Sequence, residues 1–139
     1  MHNPYWAQVV ALSAAIAHAE GFWVENARPR RNNNPGDVLF DGAVNGVYAT
    51  RIEGFDELAW KVAHLLAGSS HTYPLTMTWR EFADKWTGMD HAGSWCDAIA
   101  DDLNVDPATT LQAWRLSVAL QGSALASDLP APDQPSPHS

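Results

Sequence analysis

Residues 17–22 read Ala17-His18-Ala19-Glu20-Gly21-Phe22, and residues 31–38 read Arg31-Asn32-Asn33-Asn34-Pro35-Gly36-Asp37-Val38. The first stretch closes a helical pattern on a carboxylate, and the second is turn chemistry throughout. Upstream of Glu20, Asn3 suits an N-cap and Pro4 the first helical position. Trp6, Val9, Ser13, Ile16 and Glu20 then fall on one stripe, with Val10 and Ala17 beside it. Gly21 can take the left-handed conformation that ends a helix. The pattern predicts a helix from about residue 4 to 20 whose last residue is an acid on the core-facing stripe.

Downstream, residues 21 to 52 lose the helical period. Short apolar runs at 38–40 and 47–50, separated by Asp41-Gly42 and Asn45-Gly46, predict a small β-hairpin. A helical period returns from Phe55 to Leu66, with Leu58, Val62, Leu65 and Leu66 inward. The spacing of Thr78 and Glu81 is that of a capping box, opening a helix that stops near Trp86-Thr87-Gly88. Gly93 or Ser94 opens another through Leu103, and Asp106-Pro107 a last one covering Leu111, Trp114 and Leu116. After Gln121 the chain turns to Ser, Ala, Asp and Pro without an aromatic residue, so 122–139 reads as a tail and 1–121 as one domain. The fold class expected is α+β, mostly helical, with the hairpin after the first long helix.

Composition narrows the function classes. The 139 residues carry 16 acidic against 8 basic side chains, a net charge of −8. That argues against nucleic acid, which is bound through cations that neutralise phosphate, and against an anionic membrane surface. No apolar run reaches the ~18 residues of a membrane span, so no membrane insertion is expected. The N-terminus has neither a basic region nor a small-residue cleavage site, so the chain is expected to be made in the cytoplasm without a signal peptide. Cys96, the only cysteine, can form no internal disulfide and reads as a core thiol.

The two opening stretches resemble the lysozyme-like superfamily, most closely its phage-type muralytic and lytic-transglycosylase-like domains with an R-N-N-N-P-G-[ND]-[ILV] segment. Gly54-Phe55-Asp56-Glu57 opening into a helix and the Lys85-Trp86-Thr87-Gly88 stop fit the same pattern, and the likeness spans roughly residues 8 to 111. It implies a lysozyme-like fold and a peptidoglycan-degrading glycosidase, lysozyme or lytic transglycosylase, acting on the β-1,4 glycan strand of the bacterial wall. It also implies that Glu20 is catalytic, since the family's glutamate closes the first long helix. The chain lacks the spaced Asp or Cys and Thr of the commonest phage lysozymes and the Gly-Leu-Met-Gln run of soluble lytic transglycosylases. The second catalytic group, and the choice of water or an intramolecular hydroxyl as acceptor, therefore stay open.

Physical chemistry gives Glu20 the same part. Breaking a glycosidic bond needs a carboxyl still protonated at working pH. An apolar stripe and the negative end of a helix dipole both push Glu20 that way, and Phe22 and Trp23 could wall it further. Otherwise it is an exposed last-turn Glu. Asp37 is the nearest second carboxylate, able to steady a cationic sugar ring or orient water, or simply to cap its turn. Asn32, Asn33 and Asn34 offer amides to sugar hydroxyls and N-acetyl groups, or to their own turn. Tyr48 and Thr50 on the hairpin are weaker substrate contacts, and Trp86 and Trp95 read as core before platform.

A zinc amidase or peptidase is the rival enzyme. His18, His64, His71 and His91 show no metal-binding spacing, so no metal or other cofactor is expected, and no Gly-x-Ser-x-Gly turn offers a serine nucleophile. The rival outside catalysis is a wall-binding or virion structural module that keeps the fold. The expected partner is the glycan strand, engaged by a monomer.

Overall fold

A computed structural model describes residues 4–40 and 44–117. The chain is mostly helical. In order it forms α1 (Trp6–Ala19), α2 (Arg28–Arg31), β1 (Leu39–Phe40), β2 (Val44–Asn45), α3 (Arg51–Leu66), α4 (Trp79–Thr87) and α5 (Ala92–Leu103), followed by helical residues 111–117. Helix α1 lies at the centre and packs against α3 and α5, while α4 packs against α5. It does so through one face, on which Val9, Leu12, Ala15, Ile16 and Ala17 are all buried.

Each end of α1 differs from its sequence reading. Tyr5, not Asn3, is the N-cap, and it makes no side-chain cap bond; Asn3 lies outside the described residues. Trp6 and Val10, expected on and beside the buried stripe, are about half exposed. The buried face instead turns toward Leu12 and Ala15. At the other end Glu20 is the C-cap and Gly21 adopts φ 76°. The Gly21 N–H donates to the His18 carbonyl at 3.0 Å and the Phe22 N–H to that of Ala17 at 3.0 Å. This is a Schellman closure, and Ala17 and Phe22, the positions that usually make its apolar contact, are both buried. It fixes where the Glu20 side chain leaves the helix.

The loop after α1 is more ordered than its composition predicts. Arg28–Arg31 forms one helical turn, with Pro29 near its start, in a stretch read as loop. The β1 strand pairs antiparallel with Val44–Asn45, not with 47–50. Beyond the pair, the Tyr48 N–H donates to the Asn32 carbonyl at 2.8 Å. The Asn-rich loop thus takes the bonds that a second strand at 47–50 needs.

Helix α3 begins four residues earlier than the period shows. Thr50 and Glu53 form a capping box, the hydroxyl accepting from the Glu53 N–H at 3.1 Å. Thr78 and Glu81 form the expected box on α4, and Gly88 ends it at φ 64°. His91, at φ 56°, precedes α5 in place of Gly93 or Ser94. Asp106 caps a turn rather than a helix: its carboxylate accepts from the Ala108 N–H at 2.9 Å, and the helix waits for residue 111. Leu111 and Trp114 are buried there, while Leu116 is half exposed. The core closes with an aromatic run in which Phe82 lies 5.2 Å from Tyr73, 5.6 Å from Trp86 and 5.7 Å from Trp95. The tail expected at 122–139 lies outside the described residues.

Candidate active site

Glu20 opens onto a cleft of about 300 Å³, walled by the C-cap of α1, the loop carrying Arg28 and Asp37, and the α4–α5 junction. Across it stand Trp86, Trp95, Asp90 and His91. The Trp95 indole N–H donates to Glu20 Oε2 at 3.1 Å, and that of Trp86 to the Gly36 carbonyl at 3.2 Å. One core indole therefore holds the carboxyl, and another holds the loop that faces it.

The Glu20 carboxyl is pushed up to about 7. Burial is the largest cause, because removing water penalises the anion more than the acid. The negative charge of Asp37 adds to it. Opposing these, the Trp95 N–H that donates to the carboxylate favours the anion, as do the nearby Trp86 indole, whose N–H is turned to Gly36, and the Arg28 guanidinium. The result is a carboxyl that is largely an acid just below neutral pH and gives up its proton just above it.

Asp37 lines the same cleft. The Arg28 fork grips both of its oxygens, Nε donating to Oδ1 at 3.1 Å and Nη2 to Oδ2. Its backbone stands at φ 49°, a left-handed conformation costing roughly 1 kcal/mol or more in a non-glycine residue. Arg28 is thus an anchor for the second carboxylate, and its own proton is held more tightly by that neighbour.

The remaining sequence-predicted contacts go elsewhere. Asn34 is fully buried: its Nδ2 donates to the Val38 and Gly46 carbonyls at 2.9 Å each, and its Oδ1 accepts from the Val38 N–H at 3.0 Å. No amide atom is left for a sugar, so its assignment to substrate binding is withdrawn in favour of stapling the loop. Asn33 Nδ2 donates to the Tyr48 carbonyl at 3.0 Å, and Asn32 caps α2. Thr50 is the α3 cap. Tyr48, whose phenol is pushed up by burial and by the Glu57 carboxylate, does not line this cleft among the described residues. Phe22 and Trp23 do not wall Glu20 either: Phe22 is buried against Phe55, with ring centroids 5.3 Å apart, and Trp23 is exposed.

Sequence reasoning missed Arg28, Asp90 and His91 and left Trp86 and Trp95 as core. Trp95 is indeed core, only 5% exposed, yet its N–H reaches the acid. Nothing in the spacing of residues 20 and 95 signals that contact; it exists only once α5 packs on α1.

The Asn34 geometry makes a prediction. Asn34→Ala should lower stability by about 2–3 kcal/mol, since it takes the amide partner from the Val38 N–H and the Gly46 carbonyl in a buried turn, while the Val38 carbonyl keeps the Gly46 N–H. Denaturant unfolding checks it, and a loss under about 0.5 kcal/mol would mean that these bonds are not what holds the loop.

Set against known proteins, the chain matches no family model, no curated protein and no solved structure.

Proposed function

We propose that this chain is a peptidoglycan-degrading glycosidase that cleaves the β-1,4 glycan strand of the bacterial wall, with Glu20 as general acid. The observation that carries the proposal is a carboxyl held at about 7 inside an open cleft beside a second, clamped carboxylate. A glycosidic oxygen leaves as an alcohol only if it receives a proton as the bond lengthens. Glu20 keeps that proton at a pH where an ordinary glutamate has lost it. Asp37, held by Arg28, places negative charge where the sugar ring turns cationic and can orient an acceptor. The lysozyme-like resemblance of the sequence points to the same substrate. A non-catalytic wall-binding module has no use for a half-buried acid whose charged form is disfavoured.

The proposal is tested through Trp95. Its N–H stabilises the Glu20 anion, so Trp95→Phe removes a donor and raises the carboxyl further. The alkaline limb of the kcat/KM profile for wall clearing should then move to higher pH, with the fold checked by its melting temperature. An alkaline limb that stays where the wild type has it would detach Glu20 from the rate.

A further inference from the structure

Trp60 lies on α3 and is 64% exposed, so the core gains little from it. A single exposed indole is common and by itself signals nothing. Its setting is less ordinary. The ring stacks on His64 with centroids 4.8 Å apart and planes 14° from parallel. The stacked indole stays mostly open to solvent. The two rings edge a hollow of about 240 Å³ whose remaining walls are Lys61, Ser70, Thr72 and Tyr73. The Ser70 oxygen accepts from the Tyr73 N–H at 3.1 Å, which positions the hydroxyl and leaves its own proton to donate.

A flat apolar surface bordered by hydroxyls and an ammonium matches the two-sided chemistry of a pyranose. Such a ring presents C–H groups on one face and hydroxyl or amide groups around its edge. Pockets of this composition hold ligands by apolar contact and orient them with a few polar groups. Lys61 adds a cation suited to the carboxylates of the stem peptides that wall glycans carry.

The hollow also adjoins the Glu20 cleft. Lys61 Nζ lies 5.4 Å from the centroid of the Trp86 ring, and the Tyr73 ring lies 5.6 Å from it. Trp86 thus touches two residues that line the hollow and itself lines the cleft.

We infer that Trp60 is the platform of a second saccharide-binding site, across Trp86 from Glu20, which holds a further stretch of the same glycan strand. This rests on the reading of the chain as glycan-cleaving, so binding is measured apart from cleavage. In a Glu20→Gln background, adding Trp60→Ala should weaken retention on purified insoluble walls by roughly five- to tenfold, the size of one aromatic contact. In the wild-type chain, an N-acetylglucosamine tetramer should shift the Trp60 indole N–H resonance saturably, that resonance being assigned by its loss in Trp60→Phe. The second measurement needs no alanine variant to fold. Unchanged wall retention, or a Trp60 resonance that does not move at saturating tetramer, overturns the inference whatever Glu20 does. A moving resonance and weakened retention in a chain whose wild type fails to clear walls would uphold this site and count only against the cleavage reading.

Discussion

Glu20→Gln should lower the rate of wall clearing by about 10²–10⁴-fold, the range that a positioned general acid supplies. Glutamine keeps the shape of the side chain and an oxygen for the Trp95 N–H, which donates to Oε2 at 3.1 Å in the native chain. It has no proton to transfer. The same substitution should leave the domain folded and, at alkaline pH, make it more stable. The sign follows from linkage. The folded carboxyl is held at about 7 against an ordinary 4.5, so below 4.5 both states are protonated and nothing is lost. Between those values the unfolded chain sheds its proton while the folded one keeps it, and stability falls as pH rises. Above 7 the full penalty is present, up to about 3 kcal/mol. The glutamine variant escapes it, so its gain over wild type should be near zero at pH 4 and largest at pH 8. Urea unfolding at both values measures that difference. A gain equal at the two pH values would mean that burial does not penalise this carboxylate.

The second large effect belongs to Gly54, in the first turns of α3. A Cβ there would stand 1.7 Å from the Asn33 carbonyl oxygen and 2.9 Å from Pro35 Cδ. Both are fixed, one by backbone and one by a ring, so α3 and the Asn-rich loop must part. Gly54→Ala should cost about 3 kcal/mol or more, and wall clearing should fall too, because the displaced loop carries Asp37. Gly93→Ala in α5 is the matched control: its Cβ meets nothing within 4 Å. There the helix propensity of alanine should act alone, for a change between zero and a gain of about 1 kcal/mol. Thermal melts of the pair decide the matter. Similar small shifts in both would show that α3 does not rest on Asn33.

These two residues also mark what could be read along the chain. The helix stop at Glu20-Gly21 was legible because capping is local: a glycine that can take φ 76° beside an apolar residue at the next position is written in consecutive letters. The capping box at Thr78 and Glu81 was legible for the same reason. Thr50 and Glu53 have the identical spacing, but Gly54 follows at once, and glycine argues against a helix interior. Only the approach of the Asn33 backbone explains why glycine is needed there, and that approach is tertiary.

The site divides along the same line. A carboxylate ending the apolar stripe of α1 could be suspected of a raised pKa, and a second one in the turn after it could be named. What the amides of Asn32, Asn33 and Asn34 bond to could not be read, since a sugar and a neighbouring carbonyl ask the same of them. The structure gives Asn34 entirely to Val38 and Gly46. Trp86 and Trp95 were hard to place because an indole is both core filler and N–H donor, and here each serves as both. The pairing of β1 went to Val44–Asn45 because the loop, through its own hydrogen bonds, had claimed Tyr48.

If this cleft breaks glycosidic bonds by acid catalysis at Glu20, the products carry the signature. Purified peptidoglycan should be digested near pH 6 with the wild-type chain and with Glu20→Gln, and the soluble fragments weighed by mass spectrometry. The wild type should yield muropeptides with the glycan strand cut and the stem peptides whole, and the variant almost none. Stem peptides released from an intact glycan, or the same fragments in the same yield from Glu20→Gln, would contradict it.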